Sequence, residues 1–140
     1  MIPSVDVNYW VILVSSIASM LIGMLWYSPL LFGNVWMKLM KINPKEIEKS
    51  KTKGMGYIYL AAFISAFLMN YVLSLTIKYV GAVTALEGLQ IGFLFWLGFV
   101  ATVMLGSILW ENKPIQLYLI NVLHYLFTIL IMSLILVSWL

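Results

Sequence analysis

The sequence predicts an all-α integral membrane bundle of four transmembrane helices, built as two helical hairpins, with a short amphipathic interfacial segment after helix one. Three observations carry that prediction. Of 140 residues, 64% are hydrophobic and only 9% charged, against about 25% charged in a soluble domain. Four apolar stretches each reach the roughly 20 residues that a helix needs to cross the hydrocarbon core. The apolar runs are continuous rather than alternating, which disfavours strands.

Helix one is expected at about 9–28. Its run begins near Tyr9, and Ser28-Pro29 should stop it, because proline disfavours helical geometry in the residue before it. No basic region precedes this run and no small-residue cleavage site follows it, so it reads as a retained helix rather than a signal peptide. Between Leu30 and Ile42 the pattern changes. Phe32, Val35, Trp36 and Leu39 fall at helical spacing while Lys38 and Lys41 face elsewhere. That suits a short helix lying in the membrane interface. The competing reading is that helix one continues past a kink at Pro29 or Gly33. A basic loop is expected over 38–56. Helix two follows at about 57–78, helix three at about 89–110 and helix four at about 115–139. Gly81 lies in the second connection. Asn112-Lys113-Pro114 makes the third a tight one, with Pro114 suited to a first helical turn. Glu87 and Gln90 read as solvated or capping groups at the start of helix three.

Orientation follows from lysines near helix ends. Lys38, Lys41, Lys45, Lys49, Lys51 and Lys53 share the first connection, Lys113 sits in the third, and only Lys78 lies at the opposite end. Seven against one predicts both termini outside and the basic loop on the cytoplasmic side of the cell membrane. Clustered lysines beside apolar spans point to the membrane surface, with anionic lipid headgroups as partner, rather than to nucleic acid.

Helices in lipid associate through small residues that let backbones approach. Ser15, Ser19 and Gly23 on helix one, Ala62 and Ala66 on helix two, and Gly98, Thr102 and Gly106 on helix three recur every four residues. These stripes read as packing seams, and a homodimer is expected from any seam left uncovered. A pore lining is the alternative. Helices one and three also share a loose pattern. Gly23 precedes Trp26 and Pro29, as Gly106 precedes Trp110 and Pro114. Two hairpins related by an axis along the membrane normal would explain it, and so would chance.

One ionisable group lies inside a span. His124 shares a face of helix four with Asn121 and Thr128, at spacings of three and four. Such a group is a functional candidate, a proton or solute relay. The competing reading is a neutral histidine bonded across a helix interface, with Asn70 or Thr102 as partner. Enzyme templates fail. With one histidine and no cysteine there is no metal-ligand spacing, no nucleophile–base pair is apparent, and no phosphate loop follows a strand. No enzyme, metal or cofactor is expected. Two classes of function remain. One is a non-catalytic structural, accessory or partner-binding bundle. The other is a small-solute or ion transporter or channel working as a homo-oligomer.

The stretch Gly23-Met24-Leu25-Trp26-Tyr27-Ser28-Pro29-Leu30-Leu31-Phe32-Gly33-Asn34-Val35-Trp36 resembles the signature of a small bacterial membrane family, domain of unknown function 1761. Trp96-Leu97-Gly98-Phe99-Val100-Ala101-Thr102 is similar to that family's third helix, and Leu119-Ile120-Asn121 to the start of its fourth. Trp110-Glu111-Asn112-Lys113-Pro114 is similar to its short loop, with Trp110 where phenylalanine is expected. The resemblance implies a stand-alone four-helix membrane protein with no assigned activity. It directs interest to Trp26, Tyr27, Ser28, Pro29, Trp36 and Trp110 as a motif at the inner face. These are either interfacial anchors with a helix stop or a site for a ligand or partner.

Overall fold

A computed structural model describes residues 2–51 and 54–139. Lys53 of the expected basic loop, and the side chain of Lys51, lie outside the described residues. Among the described residues there is no strand, and four helices are long and apolar enough to cross a membrane. Helix one is Tyr9–Trp26, helix two Gly56–Val80, helix three Ala85–Leu109 and helix four Ile115–Ser138. The chain is a multi-pass membrane protein by this measure.

Local chemistry explains the ends. Asn8 caps helix one by accepting from the N–H groups of Trp10 and Val11. Helix one stops at Trp26, followed by a run of turns in which the Ser28 hydroxyl donates to Leu25 O. Helix two ends on Gly81, whose φ of +76° suits a residue without Cβ, and Ala82 N–H closes the cap onto Ile77 O. Helix three starts four residues earlier than its hydropathy suggests. Thr84 and Glu87 form a reciprocal capping box there, so Glu87 is a capping group.

The short helix expected between Leu30 and Ile42 is present as Gly33–Leu39, and within the stretch expected as a basic loop Pro44–Lys51 is helical as well. The first is divided from helix one by the turns, which settles the choice against a continuous kinked helix. It docks on helix four, and the Trp36 ring meets Tyr27 edge-on at 5.5 Å between centroids.

Helix four is the hub. It packs against helices one, two and three, while helix one also packs along helix two. In its most apolar stretch 44% of helix four is buried, against 6% of helix three. Thus helix three touches the bundle mainly along helix four, with a lesser contact to helix two. The contact is not along the expected stripe. Gly98 faces open space, and Thr102 is exposed, its hydroxyl donating to Gly98 O in its own helix. At Gly106 an added Cβ would meet only Trp110 of its own helix, at 3.6 Å. The glycines that meet helix four are Gly88 and Gly92. A Cβ on Gly88 would come within 2.8 Å of Val137, and one on Gly92 would fall on the Ser133 hydroxyl. Four-residue spacing marks a stripe without saying where the neighbour lies, and both glycine pairs satisfy it.

Helices one and two follow the expected seam more closely. Ser15, Ser19 and Ala66 are buried, and Gly23 faces His124, where an added Cβ would lie 3.4 Å from Nε2. Ala62 is exposed.

Candidate functional site

Polar side chains gather along the half of helix four that faces the Trp26 end of the bundle. Two indole N–H groups reach it from either side. Trp26 Nε1 donates to Ile120 O at 3.0 Å, and Trp96 Nε1 donates to Val122 O at 2.7 Å. Trp96 opens a stretch of wider π geometry, Trp96–Ala101, within helix three. Such stretches are rare and concentrate at functional sites. At its end the Tyr118 hydroxyl donates to Ala101 O at 2.8 Å. The pairing of helix one with helix three by Trp26 and Trp110 does not appear. Trp110 is 84% exposed, and Trp96 is the residue that mirrors Trp26.

Inside this frame sits His124. Trp26, Tyr27 and Tyr125 surround its ring, with centroids 6.1, 5.1 and 4.8 Å away. Both imidazole nitrogens are shut from solvent and neither has a hydrogen-bond partner among the described residues. The partners expected for it are engaged elsewhere. Asn70 Nδ2 donates to Ala66 O at 2.9 Å and to Ser19 Oγ at 3.4 Å, tying helix two to helix one, while its Oδ1 is buried without a partner among the described residues. Thr102 faces away on helix three. Thr128 uses its hydroxyl on His124 O. Asn121 is claimed by Tyr27, whose hydroxyl donates to its Oδ1 at 2.7 Å.

His124 forms part of the wall of a cavity of about 590 Å³ between helices one, two and four. Gly23, Tyr27, Ala62 and Thr128 line it too, so residues of three expected groups meet at one place: the polar stripe, the packing seam and the Trp-Tyr-Ser-Pro block. No Asp, Glu or Lys lines it. Its mouth lies between helices one and two, where Met24 and Tyr59 are 64% and 50% exposed. A ligand entering there comes from the lipid side. Asn121 and Trp110 are not in this cavity. They line a second one of about 380 Å³ with Glu111 and Lys113 at the end of the bundle. The Tyr27–Asn121 bond lies between the two, since Tyr27 lines the first and Asn121 the second.

Sequence reasoning passed over one set of residues. Met20, Met24, Met69 and Met132 all line the His124 cavity. Thioethers count as apolar in any hydropathy pattern, so nothing separated them from core filler. The available signal was Met20 and Met24, one turn apart on helix one.

Fold and site together define a class: a small multi-pass helical membrane protein with its polar groups collected around an intramembrane cavity. Within that class the chain belongs to the family described as Protein of unknown function (DUF1761), which matches residues 10–137. This bears out the resemblance carried by the Trp26-Tyr27-Ser28-Pro29 block. No curated protein and no solved structure matches the chain.

Proposed function

We propose that this protein is a non-catalytic membrane bundle that binds a small ligand in the cavity at His124. One observation carries the reading. Both nitrogens of the chain's single histidine are buried without partners, and the His124 side chain lines a 590 Å³ cavity. Buried polar groups are satisfied in the great majority of cases, and each exception calls for a physical account. A ligand that fills the cavity and engages the imidazole supplies one. The lack of an intramembrane carboxylate or a nucleophile–base pair supports binding over catalysis.

The test is a thermal-shift screen of ions and metabolites on the purified protein in detergent, repeated on His124→Ala. At least one compound should raise the melting temperature of the parent and lose that effect in the variant. A screen with no stabilising compound, or the same shift in both proteins, would refute the reading.

A transport reading has one observation in its favour. The His124 cavity and the cavity at Lys113 meet across a single hydrogen bond, Tyr27 to Asn121. Lysine placement supports both termini outside and the short helices Gly33–Leu39 and Pro44–Lys51 on the cytoplasmic face, and the family supports a bacterial inner-membrane location. There Lys38, Lys41, Lys45 and Lys49 would meet anionic headgroups. The apolar face of helix three, with only 6% of its most apolar stretch buried, supports a homodimer.

A further inference from the structure

We infer that the cavity at His124 holds one acyl chain of an anionic phospholipid, whose phosphate meets the lysine-bearing connection between helices one and two. The inference rests on the reading that this cavity binds a ligand. It names the ligand's class and requires nothing of the imidazole nitrogens, which are buried. Shape comes first. Helices one and two touch at one end and part toward the other. Asn70 of helix two donates to Ser19 of helix one, and past that bond Ile12, Ser15, Leu73 and Ile77 are all buried. Toward Tyr27 and Ile58 the two helices stand apart. Ala62 is exposed, and a Cβ added to Gly23 would have His124 and no atom of helix two within 4 Å. Small residues that could bring two backbones together in lipid here face a gap.

The gap has the depth of one leaflet. Its lining on helix two runs from Ile58 to Met69, about 16 Å at the usual helical rise. Half of a hydrocarbon core is about 15 Å. The Asn70–Ser19 bond closes the gap near the bilayer middle, so it is a blind cleft and not a path across. Its mouth faces lipid sideways, with Met24, Ile58 and Tyr59 exposed. A hydrocarbon chain already lies beside that mouth and enters without crossing water. The lining suits it. No charged side chain is present, and Met20, Met24 and Met69 are flexible thioethers that conform to an irregular apolar shape.

Charge selects the lipid. The connection between the two helices leaves from the open end of the cleft, because helix one ends at Trp26 and helix two begins at Gly56. It carries six of the chain's eight lysines, against Glu46 and Glu48. Lys38 and Lys45 lie on its two short helices, with Lys41 between them. A basic cluster next to spanning helices attracts anionic headgroups. Tyr59 at the mouth stands where aromatic rings mark the headgroup boundary. A phospholipid with a negative head meets both demands at once. Its chain fills the cleft, and its phosphate lies at the lysines.

The test strips lipid from the purified full-length protein in detergent, adds dioleoyl phosphatidylglycerol and dioleoyl phosphatidylcholine in equal amounts, and counts bound lipid by native mass spectrometry. The parent should keep one phosphatidylglycerol per chain and prefer it by about fivefold or more, the scale of a single lysine beside an anionic headgroup. Ala62→Phe fills the cleft from an exposed position, so it should fold as the parent does and lose the retained lipid. Ala61→Phe, outside the lining, should behave as the parent. Lys38→Gln/Lys41→Gln/Lys45→Gln should keep a lipid and lose the preference. Undiminished retention by Ala62→Phe overturns the inference, and so does a parent that keeps both lipids equally. Should Ala62→Phe fail to fold, phosphatidylglycerol with a photoreactive group in one acyl chain decides in the parent. Labelling concentrated between Ser19 and Tyr27 and between Ile58 and Met69 supports the site. Labelling spread as heavily over the exposed Leu86, Leu94 and Val103 overturns it. Retention by His124→Ala equal to the parent's supports the lipid site and refutes only the part given to the imidazole. A parent that keeps no lipid but takes another compound in a His124-dependent way refutes the lipid assignment alone. A parent that takes nothing refutes both proposals.

Discussion

The two halves of helix four are packed by opposite means. From Ile129 to Val137 it lies against Gly88 and Gly92 of helix three, so close that a Cβ on Gly92 would clash with the Ser133 hydroxyl. Ile129, Met132, Ser133, Leu136 and Val137 are all buried there. From Ile120 to Thr128 the same helix is held by rings. Trp26 and Trp96 reach its carbonyls through their N–H groups and Tyr27 reaches Asn121 through its hydroxyl. Rings are long, so they hold neighbours at a distance, and one of them, Tyr27, lines the cavity at His124. Small residues give contact and large polar rings give spacing. One helix therefore carries a closed end suited to stability and an open end suited to binding.

The largest effect expected from this contrast is at the closed end. Gly92→Val places branched carbons where Ser133 already stands, and should destabilise the bundle by about 1–3 kcal/mol, the usual range for overpacking. Gly23→Ala at the open end meets only ordinary contact with His124, and Gly98→Ala meets nothing. Each should stay within about 0.5 kcal/mol of the parent. Equilibrium unfolding in mixed micelles measures all three, and equal losses at Gly92 and Gly23 would break the contrast.

A smaller effect is expected from the ring donors. Trp26→Phe and Trp96→Phe each remove an N–H that reaches helix four, and each should cost about 0.5–1.5 kcal/mol. The same unfolding assay checks it, and a change at only one of the two would show that the rings do not act as a pair.

Smallest is Tyr27→Phe, which removes one hydroxyl bond to Asn121 at an expected cost of about 0.6 kcal/mol, typical of side-chain hydrogen bonds inside membranes. It should leave the cavity and the response to any His124-dependent ligand in place. Loss of that response would show that the Tyr27 hydroxyl, and not its ring alone, takes part in the site.

Much of this contrast was already visible in the residues, but not its placement. Run length and Pro29, Gly81 and Pro114 located the spans to within a few residues, because a helix in lipid must satisfy its own backbone. The stripe of Asn121, His124 and Thr128 could be read along helix four, since spacing of three and four is a property of one helix. What one helix meets is a property of two. For that reason Gly98 and Gly106 looked as good as Gly88 and Gly92, and Asn70 and Thr102 looked like partners for His124. The turn of π geometry that aims Trp96 at Val122 leaves no hydropathy signal. Thioethers differ from leucine in chemistry and hardly at all in hydrophobicity, so the Met20, Met24, Met69 and Met132 set emerged only when three helices were brought together.

The central claim is that the open end of helix four is a ligand site centred on His124, and a chain with one histidine allows a direct measurement. Protein labelled with 15N only at histidine gives a two-line imidazole spectrum from this residue alone. Adding a compound that raises the melting temperature should shift those lines in proportion to occupancy. If such a compound binds and both nitrogens keep their resonances, the imidazole takes no part and the account of the site is wrong.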